Sequence, residues 1–214
     1  YREKYRSLHR IDRILEAEGD SIRNYKLSKQ ADALMLLYLF SEAELREHLG
    51  YMGYALTPEA VRRTIDYYAK HTAHGSTLSR VVFAWVLTRY NREGSWDLFL
   101  EALRSDISDI QGGTTHEGVH LGAMASTVDI LQRGYTGLET RGDALHFDPR
   151  LPQELKRLKF RLEYRRHLLE LDVDREMMRL SSLRSDVDPI SIGYRGRKLI
   201  LEPGGTVEVL LEPD

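Results

Sequence analysis

The 214-residue chain contains no cysteine, which excludes disulfides and thiolate metal sites and is compatible with a reducing compartment. It has no apolar run long enough to cross a bilayer and no signal peptide. Neither sign of charge dominates, because the formal net charge is −2. Bulk electrostatics therefore favour no nucleic-acid or membrane partner, and we expect a cytoplasmic location.

The composition that remains is typical of a soluble globular protein. Hydrophobic residues make up 42% of the chain and charged residues 30%, which is enough to bury a sizeable core in one large or two small domains. The chain begins at Tyr1 without an initiator methionine. It is therefore either a trimmed product or the C-terminal part of a longer polypeptide, and composition does not choose between these explanations.

Helix signals fill the first part of the chain. The sequence predicts a capping box at Ser41–Glu44, a helix that starts at Thr57-Pro58, an apolar helix over 78–90 and another from Ser95. Leu98, Leu100 (or Phe99) and Leu103 are its expected buried residues. A second capping box at 114–117 predicts a helix that runs to Arg133 and stops at Gly134.

After about residue 137 the periodicity changes to two. Apolar residues alternate with charged ones in the runs that start near 158, 169, 190, 199 and 207, and turn residues such as Pro203-Gly204-Gly205 separate these runs. Short alternating strands indicate a small antiparallel β-sandwich. The sequence therefore predicts an α+β chain with a helical domain at 1–137 and a β-sandwich domain at 138–214.

The segment HEGVH at 116–120 allows three interpretations. As a zinc-protease HExxH motif, it needs both histidines on one face of a helix, with Glu139 as a third ligand. Alternatively, Glu117 is only the partner in the capping box. In the third interpretation this is a polar active-site mouth, where Thr114, Glu117 and one histidine face a ligand.

Two further segments carry candidate binding groups. Small and hydroxyl residues at 74–79, directly before a helix, predict free backbone N–H groups for an anion, although an ordinary N-cap fits the same residues. Lys29 and Gln30 are expected in the first turn of an apolar helix. A cation there is unfavourable for the helix dipole unless an anion is bound, although a solvated lysine is common in this position.

These segments, read as KQAD at 29–32, HGSTLS at 74–79 and GGTTHEGVHLGAM at 112–124, together resemble glycoside hydrolase family 65. That family includes inverting phosphorylases of trehalose, maltose and kojibiose and some trehalases. The resemblance implies that 1–137 is the second half of an (α/α)6 barrel and that 138–214 is the C-terminal β-domain. The family's general acid lies earlier in the barrel, and no segment of this chain matches its surroundings.

Carried over by residue, the resemblance assigns the family's phosphate site to Lys29, Gln30, His74, Gly75 and Ser76. Thr77 stands where many members have a second serine, and its hydroxyl is still a donor. We also assign substrate or phosphate binding to Thr114 and Thr115, and the fallback catalytic base to Glu117. No metal or cofactor is expected, since inorganic phosphate is a co-substrate.

The expected reaction is phosphorolysis of an α-glucoside such as trehalose or maltose to β-glucose 1-phosphate. The loop at 74–79 has no carboxylate to activate water, which favours phosphate as the nucleophile over trehalase-type hydrolysis. The expected partners are the disaccharide, phosphate and the remainder of the polypeptide, and a homodimer stays open. A zinc metallopeptidase and a non-catalytic scaffold fragment remain the alternatives of other classes.

Overall fold

The computed structural model describes residues 2–5, 10–110 and 115–212, without the side chains of Arg2, Tyr5 and Glu117. The chain divides into two compact units, Tyr1–Thr127 and Val128–Asp214. The first contains helices and the second is dominated by strands. The structure therefore confirms the α+β class.

The helices fall before residue 135, and none in the described ranges is both long and apolar enough to span a membrane. Short 3₁₀ turns form at Ile22–Asn24 and Thr115–Glu117, and a π-helical turn at Ile130–Gly134 extends the last helix. The helices are α1 (Arg2–Tyr5), α2 (Ile11–Ala17), α3 (Met35–Leu39), α4 (Glu42–Tyr51), α5 (Pro58–His71), α6 (Thr77–Leu87), α7 (Arg92–Arg104) and α8 (Leu121–Asp129).

Side-chain caps determine where several helices begin. The capping box before α4 is confirmed, since the Ser41 hydroxyl accepts from the Glu44 N–H and the Glu44 carboxylate accepts from the Ser41 N–H. Thr57 caps α5 as predicted. The predicted start of α7 at Ser95 was wrong, because the Asn91 side chain accepts from the Gly94 N–H and starts the helix at Arg92.

A core cluster fixes α6 within the helical unit. The apolar face of α6 packs with residues of α5 and of the segment before α3, and the cluster consists of Ala31, Leu34, Val61, Ile65, Val82, Phe83 and Val86. From α7 the buried residues are Ser95, Phe99 and Ala102, whereas Leu103 is exposed, contrary to prediction. The three buried residues are spaced by four and three positions, so they lie on one face of the helix.

The described strands of the second unit form two four-stranded sheets, with strand orders β1-β2-β6-β7 and β3-β4-β5-β8. Five strand pairs are antiparallel and the β2–β6 pair is parallel. The strands are β1 (Glu139–Arg141), β2 (Ala144–Phe147), β3 (Leu158–Tyr164), β4 (His167–Val173), β5 (Met177–Ser182), β6 (Ile190–Tyr194), β7 (Arg197–Leu201) and β8 (Thr206–Leu210).

Alternation along the strands gives the sheets a buried and an exposed face. In β4, His167, Leu169, Leu171 and Val173 are buried, as the period of two predicts. The purely antiparallel arrangement was wrong at one pair. Strand β6 returns to β2 after the chain has built most of the other sheet, and strands joined by such a long crossover are free to pair in parallel.

Candidate functional site

The segment around Lys29 lies beside the segment that precedes α6. Ser28 and Thr72 form a parallel β-bridge. The Ser28 N–H donates to the His71 carbonyl, and the Ser28 carbonyl accepts from the Ala73 N–H, both at 2.8 Å. The structure thereby brings together two of the sequence motifs, 29–32 and 74–79, that are separated by more than forty residues.

Lys29 and Gly75 are in direct contact. The Gly75 N–H donates to the Lys29 carbonyl at 2.8 Å. A Cβ on Gly75 would lie 3.0 Å from Lys29 Cγ and 3.4 Å from Lys29 Cε, so the lysine stem crosses the face of the glycine. Lys29 is exposed, and the described part of the chain offers its ammonium group no ion-pair partner. The predicted position of Lys29 in a first helical turn was wrong, since α3 begins only at Met35.

The loop after Gly75 leads directly into α6, as the sequence predicts. Ser76 is the N-cap residue, but its side chain makes no capping hydrogen bond. Thr77, the first helical residue, is buried. The first N–H groups of a helix have no intrahelical acceptor and carry partial positive charge, so this end of the eleven-residue α6 suits an anion.

His74 connects the loop to α6. Its backbone is left-handed, with φ of 47°. Its Nδ1 lies 3.1 Å from the Ser79 hydroxyl, and its ring packs edge-on against Phe83, with 4.9 Å between ring centroids. This imidazole therefore joins the loop to the core face of α6. The side chain of Gln30, the other predicted phosphate ligand beside Lys29, donates to Asp32 at 2.9 Å.

Helices α6 and α7 form an antiparallel pair, which determines what else lies at this end. Arg80 in the first part of α6 donates to Glu101 near the end of α7 at 2.8 Å. Further along, the Ser95 hydroxyl donates to the Ala84 carbonyl at 2.7 Å. Residues that follow α7 therefore lie at the same end of the helix pair as Gly75 and Ser76.

Arg80 also adds buried positive charge to this end of α6. Its side chain is only 5% exposed, and its Nη1 has no hydrogen-bond partner within the described residues. The paired Glu101 is half exposed, so solvent screens the negative partner more than the positive one.

Two aspartates after α7 hold the segment that precedes α8. Asp106 accepts from the His120 N–H at 2.9 Å with one oxygen, and its other oxygen lies 2.5 Å from His120 Nδ1. Asp109 accepts from the Thr115 N–H at 3.3 Å and from the Thr115 hydroxyl at 3.1 Å. Thr115 and His120 are therefore brought towards the end of the helix pair where Gly75 and Ser76 lie.

The structure contradicts the helix that the HExxH interpretation requires. Residues 115–117 form one 3₁₀ turn, Gly118 has φ of 102°, and α8 begins only at Leu121. The two histidines are therefore not successive residues on one helix face. The predicted helix from 114 to 134 was wrong at its beginning, because the left-handed glycine interrupts it, and right at its end.

Two of the predicted site residues fall wholly or partly outside the described residues. Thr114 lies outside them, and for Glu117 only the backbone is described. Within the described ranges, no group of three His, Asp or Glu side chains is arranged to hold a metal. No sequence pattern indicates Asp106 and Asp109, because their spacing of 14 and 6 residues from His120 and Thr115 matches no local hydrogen-bond pattern.

The geometry thus provides an anion-compatible cradle: a lysine stem over a glycine, an N-cap serine hydroxyl, the N-terminus of α6 and, at the same end, an aspartate-held histidine. The ammonium group, the hydroxyl and the helix N–H groups can neutralise and orient an anion.

Comparison with protein families agrees with the two-part organisation. Residues 1–129 match the family model described as glycosyl hydrolase family 65 central catalytic domain. Residues 138–201 match the model described as glycosyl hydrolase family 65, C-terminal domain. The resemblance found in the sequence is therefore confirmed.

Individual relatives extend the comparison. The chain is 51% identical, over 98% of its length, to an uncharacterized glycosyl hydrolase of Mycobacterium tuberculosis, and covers 16% of that protein. It is 37% identical, over 85% of its length, to trehalose 6-phosphate phosphorylase of Lactococcus lactis, and covers 24% of it. A solved structure from the human microbiome with a provisional kojibiose phosphorylase assignment shares the fold, with a TM-score of 0.70, 22% identity, and coverage of 86% of this chain and 23% of that one.

Proposed function

Because the chain belongs to glycosyl hydrolase family 65, we propose that it is part of an inverting disaccharide phosphorylase. The substrate is an α-glucoside such as trehalose or maltose, the nucleophile is inorganic phosphate, and the product is β-glucose 1-phosphate. In this proposal the helical part to about residue 137 is the second half of an (α/α)6 barrel, and 138–214 is the C-terminal β-sandwich domain.

The observation that carries the proposal is the contact between Lys29 and Gly75 at the start of α6. It sets an ammonium group without an ion-pair partner in the described residues beside a loop and a helix N-terminus. Phosphate is the anion that the proposed reaction needs. The Ser76 hydroxyl, which makes no capping bond, is available to donate to it, and Thr77 follows at the first helical position.

The proposed chemistry needs positioning more than a base. In inverting hydrolysis, one carboxylic acid protonates the leaving oxygen and a second group activates water on the opposite face of the sugar. Phosphate is already an anionic nucleophile and replaces both the second group and the water. A phosphate oxygen bonds to the anomeric carbon as the glycosidic C–O bond breaks, and the leaving oxygen takes its proton from a general acid in another part of the enzyme.

The hydrolytic alternative within the family requires a carboxylate that activates water. The loop at 74–79 contains none, and the carboxylates of Asp106 and Asp109 are engaged by His120 and Thr115. Glu117 is then the fallback base. The lack of a carboxylate in the loop at 74–79 favours phosphorolysis over hydrolysis.

A product assay on the full-length protein tests the proposal. The protein is incubated with trehalose, maltose, kojibiose or trehalose 6-phosphate, each with and without inorganic phosphate, and the products are followed by NMR. We expect β-glucose 1-phosphate from one of them in the presence of phosphate only. Equal amounts of two free sugars, formed at the same rate without phosphate, would show a hydrolase and refute the proposal.

A further inference from the structure

A single carboxylate holds both the backbone and the imidazole of His120. Asp106 accepts from the His120 backbone N–H with one oxygen and contacts Nδ1 with the other. The aspartate side chain is 11% exposed and the histidine side chain 26%. Among the described residues, Nε2 of His120 has no hydrogen-bond partner. Asp106 thus fixes one edge of the ring, and no described residue bonds to the other edge.

This arrangement determines the tautomer of the ring. A carboxylate can only accept hydrogen bonds, so Nδ1 of His120 carries the proton that Asp106 receives. In the neutral ring, Nε2 is then an acceptor with an available lone pair. An aspartate behind a functional histidine orients the ring and selects its tautomer in the same way in unrelated sites.

We propose that Asp106 is a positioning residue that holds His120 so that Nε2 accepts a hydrogen bond from a hydroxyl of the bound substrates. The inference rests on the proposed function. Antiparallel packing of α6 against α7 brings Asp106 to the end of the helix pair where Lys29 and Gly75 lie. The donor is either the P–OH of hydrogen phosphate or a hydroxyl of the sugar.

The alternative role of Asp106 is structural. His120 immediately precedes α8, and its carbonyl accepts from the Met124 N–H, so the bond from the His120 N–H to Asp106 also anchors the helix start. Asp106→Asn separates the two roles. The amide oxygen still accepts from the His120 backbone N–H, but the amide nitrogen then faces Nδ1 and donates to it. The anchor is retained, while the proton of the ring moves to Nε2.

The experiment measures kcat and KM for phosphate and for the sugar in the full-length enzyme with Asp106→Asn, His120→Ala and both changes. We expect Asp106→Asn to lower kcat/KM by about 10- to 100-fold and to leave the melting midpoint unchanged. The double variant should be no worse than His120→Ala alone, because Asp106 acts through the ring. Asp129→Asn, which alters the partly exposed ion pair between the last residue of α8 and Arg133 in the π-helical turn, is the control and keeps wild-type kinetics.

The KM that rises in Asp106→Asn identifies the hydrogen-bond donor. The KM for phosphate rises if the donor is the P–OH group, and the KM for the sugar rises if the donor is a sugar hydroxyl. Losses that multiply in the double variant, or Asp106→Asn kinetics equal to wild type, would overturn the inference. The same holds if Asp106→Asn lowers activity only in proportion to the fraction of protein that unfolds. Phosphate dependence in the wild type is read separately, so its absence refutes the proposed function and not the role of Asp106.

Discussion

Gly75→Ala is the substitution that most directly perturbs the proposed phosphate site. The glycine lies under the side chain of Lys29, and an alanine Cβ would be 3.0 Å from Lys29 Cγ and 3.2 Å from the Lys29 carbonyl oxygen. Carbon atoms in contact prefer separations of about 3.5–4.0 Å. The lysine stem must therefore move by roughly half an ångström or adopt another rotamer.

The energetic effect should fall on binding and not on folding. The backbone of Gly75 is not left-handed, so alanine is compatible with it and the stability change should stay within about 1 kcal/mol. A hydrogen bond to a charged group contributes about 1.5–3 kcal/mol. Displacing the ammonium of Lys29 from phosphate should therefore raise the KM for phosphate by roughly 10- to 100-fold.

The assay is initial-rate phosphorolysis by the full-length enzyme. Phosphate is varied at saturating disaccharide, and the disaccharide is varied at saturating phosphate. We expect the KM for phosphate to rise and the KM for the disaccharide to stay near the wild-type value. Gly50→Ala in α4 is the matched control, because a Cβ there meets no atom within 4 Å, and it should change neither constant.

An unchanged KM for phosphate in Gly75→Ala, with correct folding shown by its melting midpoint, would refute the reasoning that the lysine stem is held over the glycine to bind phosphate. Equal increases in both KM values would also contradict it, because a general distortion of the cleft and not the loss of one cation would then be responsible.

Three further perturbations test the site and the fold. Lys29→Ala should raise the KM for phosphate by about 10-fold or more with an unchanged melting midpoint, since the hydrogen bond to Gly75 uses only its backbone carbonyl. Gly193→Ala should lower stability in urea unfolding by about 1–3 kcal/mol, because a Cβ would overlap the His146 ring on the paired strand, and adding His146→Ala should restore most of it. Arg157 lowers the pKa of Asp172, and Lys159 lowers the pKa of Glu170. The stability that these carboxylates contribute is therefore present above their unfolded pKa values near 4 and is lost as pH falls through the lower folded values. In urea unfolding, Asp172→Asn should reduce the dependence of stability on pH in that acid range.

The parts of the fold that follow from neighbouring residues were predictable. The capping box at Ser41 and the cap at Thr57 form as expected, because each depends on groups within three residues. The alternation in β4 likewise predicts which side chains are buried. Local rules failed at 114–121, where the residues resemble a helix start but Gly118 takes a left-handed backbone that only the folded context selects.

The sequence could not show which distant segments meet. The β-bridge between Ser28 and Thr72 joins residues 44 positions apart in the sequence. The hydrogen bonds between Asp106 and His120 join residues 14 positions apart. No periodicity carries that information, because each contact joins segments that only the folded chain brings together. Lys29 was therefore assigned to phosphate through resemblance, and its contact with Gly75 emerges only from the three-dimensional arrangement.

The proposed phosphate site combines backbone donors with side-chain donors, and mutation affects the two kinds differently. The N–H groups at the start of α6 belong to the backbone, and α6 is fixed by buried Val82, Phe83 and Val86. Truncating a side chain to alanine removes neither these donors nor the helix dipole. Changes at Lys29 and Ser76 should therefore weaken phosphate binding without abolishing it, and the double change Lys29→Ala with Ser76→Ala should leave phosphate-dependent turnover at high phosphate concentration. Complete loss of phosphate-dependent turnover in a folded double variant would mean that side chains alone bind the anion.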